Sequence, residues 1–186
     1  ELEPFDHQVN EKPATSKALY WFKSMGDTGL RLPLIFNPSS VAPAPCAIVE
    51  KCRIGERIPV AKGADMRVLG EAVHACISLS FTAPHASLSE AEVGNILSGF
   101  GVSEYLSATA VLKQISAFHE WLSSRWPGAR PHAEIPLQSI LPTGQVLNGR
   151  IDLLLETDSG WVLCDHKSSQ LAPDHWEQLA REYSAQ

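Results

Sequence analysis

No stretch of this chain approaches the roughly 18 to 20 consecutive apolar residues that a membrane span needs. An excess of positive charge is also missing: 15 Lys and Arg stand against 21 Asp and Glu, a net charge of −6. A freestanding protein that holds DNA by charge alone is normally basic, so either nucleic acid is not the partner or another polypeptide does most of the holding. The four cysteines, Cys46, Cys52, Cys76 and Cys164, form no CxxC pair and have no close histidine companion. That excludes a zinc ribbon and argues against a secreted disulfide scaffold, leaving free thiols in a reducing cytoplasm as the expectation. There is no Gly-x-Ser-x-Gly nucleophile elbow, no repeat and no low-complexity tract. With 44% hydrophobic and 19% charged residues, disorder and a coiled coil are excluded too. Glu1-Leu2-Glu3-Pro4 has neither an initiator Met nor a signal pattern, and Gln186 falls inside what reads as a helix. The chain therefore reads as a piece of something longer.

What is present suffices for one ordinary hydrophobic core. Residues 1–62 are expected to be an irregular or linker segment packing on that core. Within it, Lys17 to Met25 reads as a short helix and Ile54 to Val60 as a short strand, while Pro33, Pro38, Pro43 and Pro45 interrupt anything longer. From residue 63 the pattern sharpens. Met66, Leu69, Val73 and Ile77 recur at helical spacing, predicting an amphipathic helix over 64–80. Gly70 and His74 sit four apart on a neighbouring face, where the missing side chain lets another chain or a ligand come close. Ser87 and Glu90 have capping-box spacing for a second helix that Gly99 and Gly101 end. A third is predicted over 103–124, with Val111, Ile115, Phe118 and Leu122 as its buried stripe and Pro127-Gly128 as its stop.

The period then changes to two. Ala133, Ile135 and Leu137 alternate with polar neighbours, and turns at Pro142-Thr143-Gly144 and Thr157 to Gly160 lead into segments Val146 to Glu156 and Trp161 to Lys167. Asp174 and Glu177 have capping-box spacing for a last helix, with Trp176, Ala180 and Tyr183 as its stripe. Helices, three antiparallel strands and a closing helix predict an α/β domain with helices packed on a sheet.

The chemistry concentrates in Gly149-Arg150-Ile151-Asp152 and Cys164-Asp165-His166-Lys167. A hairpin centred between Asp158 and Ser159 pairs residues whose numbers sum to 317, so Asp152 is expected opposite Asp165, with Lys167 on the same side. Two carboxylates opposed in this way repel unless a cation intervenes, and hard oxygen donors select Mg²⁺ or Mn²⁺. The flanking residues, Ile151, Leu153, Leu154, Leu155, Val162 and Leu163, make both strands nearly continuously apolar, predicting a hairpin covered on both faces. A carboxylate pair and an ammonium beside a metal suit phosphodiester hydrolysis. The plainer reading of Asp165 and Lys167 is an i, i+2 ion pair on an exposed face, and Tyr183 fits its helix stripe as a core residue.

Asp152 followed thirteen residues on by Asp165-x-Lys167 resembles the signature of the PD-(D/E)XK nuclease superfamily. Leu69-Gly70-x-x-x-His74, Glu134-x-Pro136, Gly149-Arg150-Ile151-Asp152, Asp165-His166-Lys167-Ser168 and Tyr183-x-x-Gln186 are similar to the RecB/AddA-type branch, found at the C-termini of UvrD-like helicase–nucleases. The resemblance covers about residues 64–186, and it implies a restriction-endonuclease-like mixed β-sheet with a core antiparallel hairpin, flanked by helices, in a domain over 63–186 truncated at its C-terminus. It further implies that His74, Asp152 and Asp165 are metal ligands with the main-chain carbonyl of His166, that Lys167 is the catalytic lysine, and that Glu134, Tyr183 and Gln186 support the site or contact DNA. The implied cofactor is Mg²⁺, with Mn²⁺ able to substitute; the cysteine spacing departs from that of iron–sulfur relatives, so no iron–sulfur cluster is expected. The implied activity is a metal-dependent deoxyribonuclease, exonucleolytic on single-stranded DNA in end processing and recombinational repair. The candidate partners are DNA, as single strand or duplex end, the helicase portion of the same parent chain and a partner subunit, and no membrane. Where the relatives carry an aromatic residue this chain has His166, and where they often carry Thr it has Ser168. The alternatives are an inactive nuclease fold used for DNA binding or docking, and a metal-dependent hydrolase of another substrate.

Overall fold

Three helices, a four-stranded sheet and a short final helix follow one another along the chain. A computed structural model describes residues 34–38, 43, 45–82 and 88–184, all within one unit spanning Pro33–Gln186. The helix expected over 17–25 lies outside the described residues, as does Gln186.

Helix α1 (Met66–Thr82) buries Leu69, Ala72 and Cys76, which recur every three or four residues. Helix α2 (Glu90–Gly99) starts from a capping box, but the box is Ser89 with Glu92 rather than Ser87 with Glu90: each residue's side chain accepts from the other's backbone N–H. Helix α3 (Ala108–Arg125) begins later than its periodicity predicted. Leu106 is engaged in a bridge to Val60, and Ser107 caps the first turn by accepting from the Ala110 N–H. That bridge is the only β pairing over 54–60 among the described residues, so the strand expected there is absent. Buried Leu69, Ala72, Cys76, Val93, Leu97, Val111 and Ile115 lock the three helices together.

The sheet is built on one strand. β3 (Val146–Thr157) pairs antiparallel along its length with β2 (Arg130–Ile140). Its other edge carries β1 (Ile35–Phe36), parallel to Val146 and Leu147, and β4 (Gly160–Cys164), antiparallel to residues 153–157. The sheet is therefore mixed, with an antiparallel hairpin at its centre and helices packed against it, as expected. Leu153 and Leu155 of β3 join Leu122 of α3 in a second core, ringed by Phe81, Phe118, Trp121 and Val162.

Two expectations about the hairpin and the last helix need correction. The hairpin is covered on one face only: Trp161 is 64% and Leu163 56% exposed on the other. Helix α4 (Trp176–Glu182) follows a 3₁₀ turn over Pro173–His175 and has no side-chain cap, because the Asp174 carboxylate accepts from His175 instead. It buries no residue, and Trp176 and Tyr183 of its predicted stripe are exposed.

Candidate metal centre

The β2–β3 turn brings two carboxylates face to face. Gly144, at φ 80°, donates its N–H to the Leu141 carbonyl, and the ladder running back from this turn pairs residues whose numbers sum to 286. It joins Ala133 to Leu153 and Ile135 to Ile151, so Glu134 stands opposite Asp152. At that one point the pairing lapses. Glu134 has φ 56°, the left-handed region that side chains other than Gly, Asn and Asp rarely enter. It is the only non-glycine residue with positive φ among those described.

His74 reaches the same place from α1. One nitrogen of His74, one oxygen of Glu134 and one oxygen of Asp152 all lie within 4.8 Å of one another. His74 Nδ1 is 3.5 Å from Asp152 Oδ2, and His74 Nε2 is 2.7 Å from the His166 carbonyl oxygen. A carbonyl only accepts, so Nε2 carries the hydrogen and, in the neutral ring, Nδ1 keeps its lone pair toward the carboxylates. Gly70, one turn earlier, permits this approach: a Cβ there would stand 3.6 Å from the Ser168 side chain, so the chain after β4 runs directly over α1.

Asp152 accepts one main-chain hydrogen bond and has two imidazoles beside it. Its Oδ2 accepts the His166 backbone N–H at 2.8 Å, while the His166 ring lies with Nδ1 3.7 Å away, beyond hydrogen-bond reach. Burial pushes the Asp152 carboxyl up, but hydrogen bonding by His166 and the charge of the His74 and His166 imidazoles outweigh it and hold the group at about 2. Since the His166 ring is too distant to donate, its main-chain N–H carries the hydrogen-bonding part. Both nitrogens of that ring are buried without a hydrogen-bond partner, and the ring packs edge-on against Phe118 and His74.

Asp165 and Lys167 fall outside this group. Strand β4 ends at Cys164, three residues short of the predicted extent, so the ladder summing to 317 stops at Leu153 with Cys164 and the pairing of Asp152 with Asp165 is not made. Where that pair was expected, the chain turns and offers the His166 N–H to the Asp152 side chain. Asp165 is exposed and ion-paired with Lys167, whose Nζ lies 2.7 Å from the carboxylate and 5.1 Å from the centre of the Tyr183 ring. The His166 carbonyl, expected to face a metal, accepts from His74.

Glu134 was expected only to support the site or contact DNA, yet it stands with His74 and Asp152. The signal was available: a turn centred on Thr143 gives twice 143, or 286, and 134 and 152 sum to that number. Arg150 carries no expected role, yet its Nε lies 2.8 Å from Glu134 Oε2.

One imidazole nitrogen and two carboxylates, one of them firmly ionised, form a donor set suited to a hard divalent cation such as Mg²⁺ or Mn²⁺. All four cysteines carry free thiols, with Cys76 buried and its thiol pushed up by burial to about 11. No helix among the described residues is long and apolar enough to cross a membrane. No curated protein matches the chain. The family profile of the PD-(D/E)XK nuclease superfamily matches residues 50–186 and takes in every element described from α1 onward. By that match, and with its mixed sheet flanked by helices, the chain belongs to the PD-(D/E)XK nuclease superfamily, whose members use divalent metal ions to cut nucleic acid.

Proposed function

We propose that this chain is a DNA nuclease domain whose seat for Mg²⁺, or Mn²⁺ in its place, is formed by His74, Glu134 and Asp152. What carries the reading is the convergence of three ligand atoms within 4.8 Å of one another, drawn from α1, β2 and β3. Once bound, the ion supplies Lewis acidity at a phosphate oxygen and lowers the pKa of its water. The chain's own residues do the rest. His74 would offer Nδ1 to the ion, because its Nε2 hydrogen is given to the His166 carbonyl. The His166 N–H donates to Asp152 and favours its ionised form. Lys167 is the catalytic lysine, an ammonium able to hold charge that develops on the phosphate. Asp165 binds that ammonium and would offer one more carboxylate to the ion, while Tyr183 and Gln186 would serve the DNA strand.

The net charge of −6 suits a domain to which DNA is delivered rather than one that captures it. We assign the chain to a helicase–nuclease of the RecB/AddA kind, with the helicase portion and a partner subunit holding the strand, and to exonucleolytic cutting of single-stranded DNA in end processing and recombinational repair. Incubation of labelled single-stranded DNA with Mg²⁺ or Mn²⁺ tests this. Linear DNA should be degraded and circular DNA spared, and Asp165→Ala and Lys167→Ala should each remove the activity. Equal cutting by all three proteins overturns the reading. One observation favours the alternative of an inactive docking module: Asp165 and Lys167 satisfy one another. DNA binding with no cleavage in either metal would establish it.

A further inference from the structure

The inference concerns Arg150 and rests on the nuclease reading above. Arg150 lies two residues before Asp152 on β3, and alternation puts both side chains on one side of the strand. It is ion-paired with Glu134 through Nε, at 2.8 Å. The contact uses one corner of a planar fork, and among the described residues the guanidinium has no other partner. Its side chain is 69% exposed, against 28% for Glu134, so the Nη donors stand at the mouth of the cluster while the carboxylate lies further in. We propose that Arg150 is a substrate-binding residue, tethered to Glu134 and presenting its Nη donors to a phosphate of the DNA strand at the metal centre.

The electrostatics favour this assignment. A phosphate approaching His74, Glu134 and Asp152 meets two carboxylates, and a phosphodiester bears a negative charge of its own. Lys167, the catalytic lysine of the reading above, is ion-paired with Asp165 at 2.7 Å and leaves the binding of the incoming phosphate to a second cation. Arg150 is occupied only at Nε, and that partner is a carboxylate that a divalent cation would share. With its charge shared by a cation, Glu134 would leave the guanidinium with charge to spare beside an arriving phosphate. A fork of fixed geometry can keep Nε on a carboxylate while two further N–H groups meet phosphate oxygens, which an ammonium on a flexible stem cannot do. The left-handed backbone of Glu134 fits the same account. The ladder is in register at residues 133 and 135, so the distortion is confined to the one residue whose carboxylate meets both Arg150 and Asp152. Such local strain persists where surrounding contacts hold it.

The test compares the wild-type chain with Arg150→Gln and Arg150→Lys, with Arg130→Gln as a charge control at the far end of β2. Two quantities are read without cleavage. Affinity for a fluorescent single-stranded oligonucleotide is measured in Ca²⁺ over a salt series, and Mn²⁺ affinity is measured without DNA by electron paramagnetic resonance. If Arg150 holds a phosphate, Arg150→Gln weakens oligonucleotide binding about tenfold and makes the salt dependence shallower by about 0.7 in log–log slope, the value for one contact to a single strand. Mn²⁺ binding should stay equal or tighten, because a cation has been removed from beside its ligands. Arg150→Lys should keep the slope and lose part of the affinity, and Arg130→Gln should match wild type. An unchanged slope in Arg150→Gln, with Mn²⁺ binding several-fold weaker, would mean that Arg150 serves only to brace Glu134, and would overturn the proposal while leaving the nuclease reading intact. Wild-type protein that binds Mn²⁺ but neither binds nor cuts DNA would overturn both.

Discussion

β3 takes part in two hairpins, and the two treat Asp152 in opposite ways. Toward β2 the ladder extends over almost the whole strand and lapses only at Glu134, where the backbone turns left-handed and a second carboxylate comes to face Asp152. Toward β4 the ladder is short and ends at Leu153 with Cys164, one step before the expected partner Asp165. Asp152 thus sits where the sheet's pairing is relaxed on both sides at once. A continuous ladder would commit the His166 N–H to a strand carbonyl; here it goes to the Asp152 carboxylate, and the chain beyond is free to meet α1. The difference between the hairpins teaches that a functional carboxylate can be prepared by interrupting regular structure around it, on one side by strain and on the other by early termination.

The largest effect should come from the residue both hairpins share. Asp152→Ala should lower cleavage at saturating Mg²⁺ by about a thousandfold or more, a loss of roughly 4 kcal/mol in the barrier, measurable as initial rates on labelled DNA. The neighbouring Leu153 is fully buried and paired on both sides. Leu153→Ala should destabilise the fold by about 2–5 kcal/mol in urea denaturation, loosening both hairpins together. The comparison itself is sharpened by metal titration: Glu134→Gln should weaken Mn²⁺ binding about tenfold or more, whereas Asp165→Ala should stay within about threefold. The reverse order would move the ion's seat to the second hairpin. A finer probe is the backbone at residue 134. Glu134→Gly should be more stable than Glu134→Ala by about 1 kcal/mol, since only glycine enters that region freely.

The smallest effect lies away from both hairpins. Burial lowers the pKa of His119, which stacks on Phe81 and meets Ser80 Oγ through Nε2 at 2.8 Å. Its native pKa is below the unfolded value of about 6.5, so its contribution is complete above that pH and is lost as the pH falls through the native value. Melting temperature should drop as the pH falls below about 6.5, and less steeply in His119→Gln.

The helices were legible because burial at every third or fourth position leaves a period in the sequence, as in Val111, Ile115 and Leu122 of α3. The second hairpin's register was equally legible: Glu156 does pair with Trp161. What the alternation of apolar residues could not report was where the pairing stops. Cys164, Asp165 and His166 continue a plausible strand pattern, and only the competition between a strand carbonyl and the Asp152 carboxylate for the His166 N–H ends it. The left-handed turn at Glu134 was hidden for a related reason, since glutamate between Ala133 and Ile135 reads as an ordinary strand residue. Ser87 with Glu90 and Ser89 with Glu92 offer identical capping spacing, and the choice fell to the register that buries Val93 and Leu97. The stripe of α4 shows the converse error, for periodicity marks an apolar face without naming what covers it.

The bare position at Gly70 works as a spacer between two bodies. With 3.6 Å from an ideal Cβ to Ser168, alanine would still fit, but any longer side chain would lift residues 166–168 off the helix. Lifting them would part the His166 oxygen from the imidazole of His74 and the His166 amide from Asp152 in a single movement. The thickness of one helix face thereby gauges the spacing between His74 on that helix and Asp152 on the sheet.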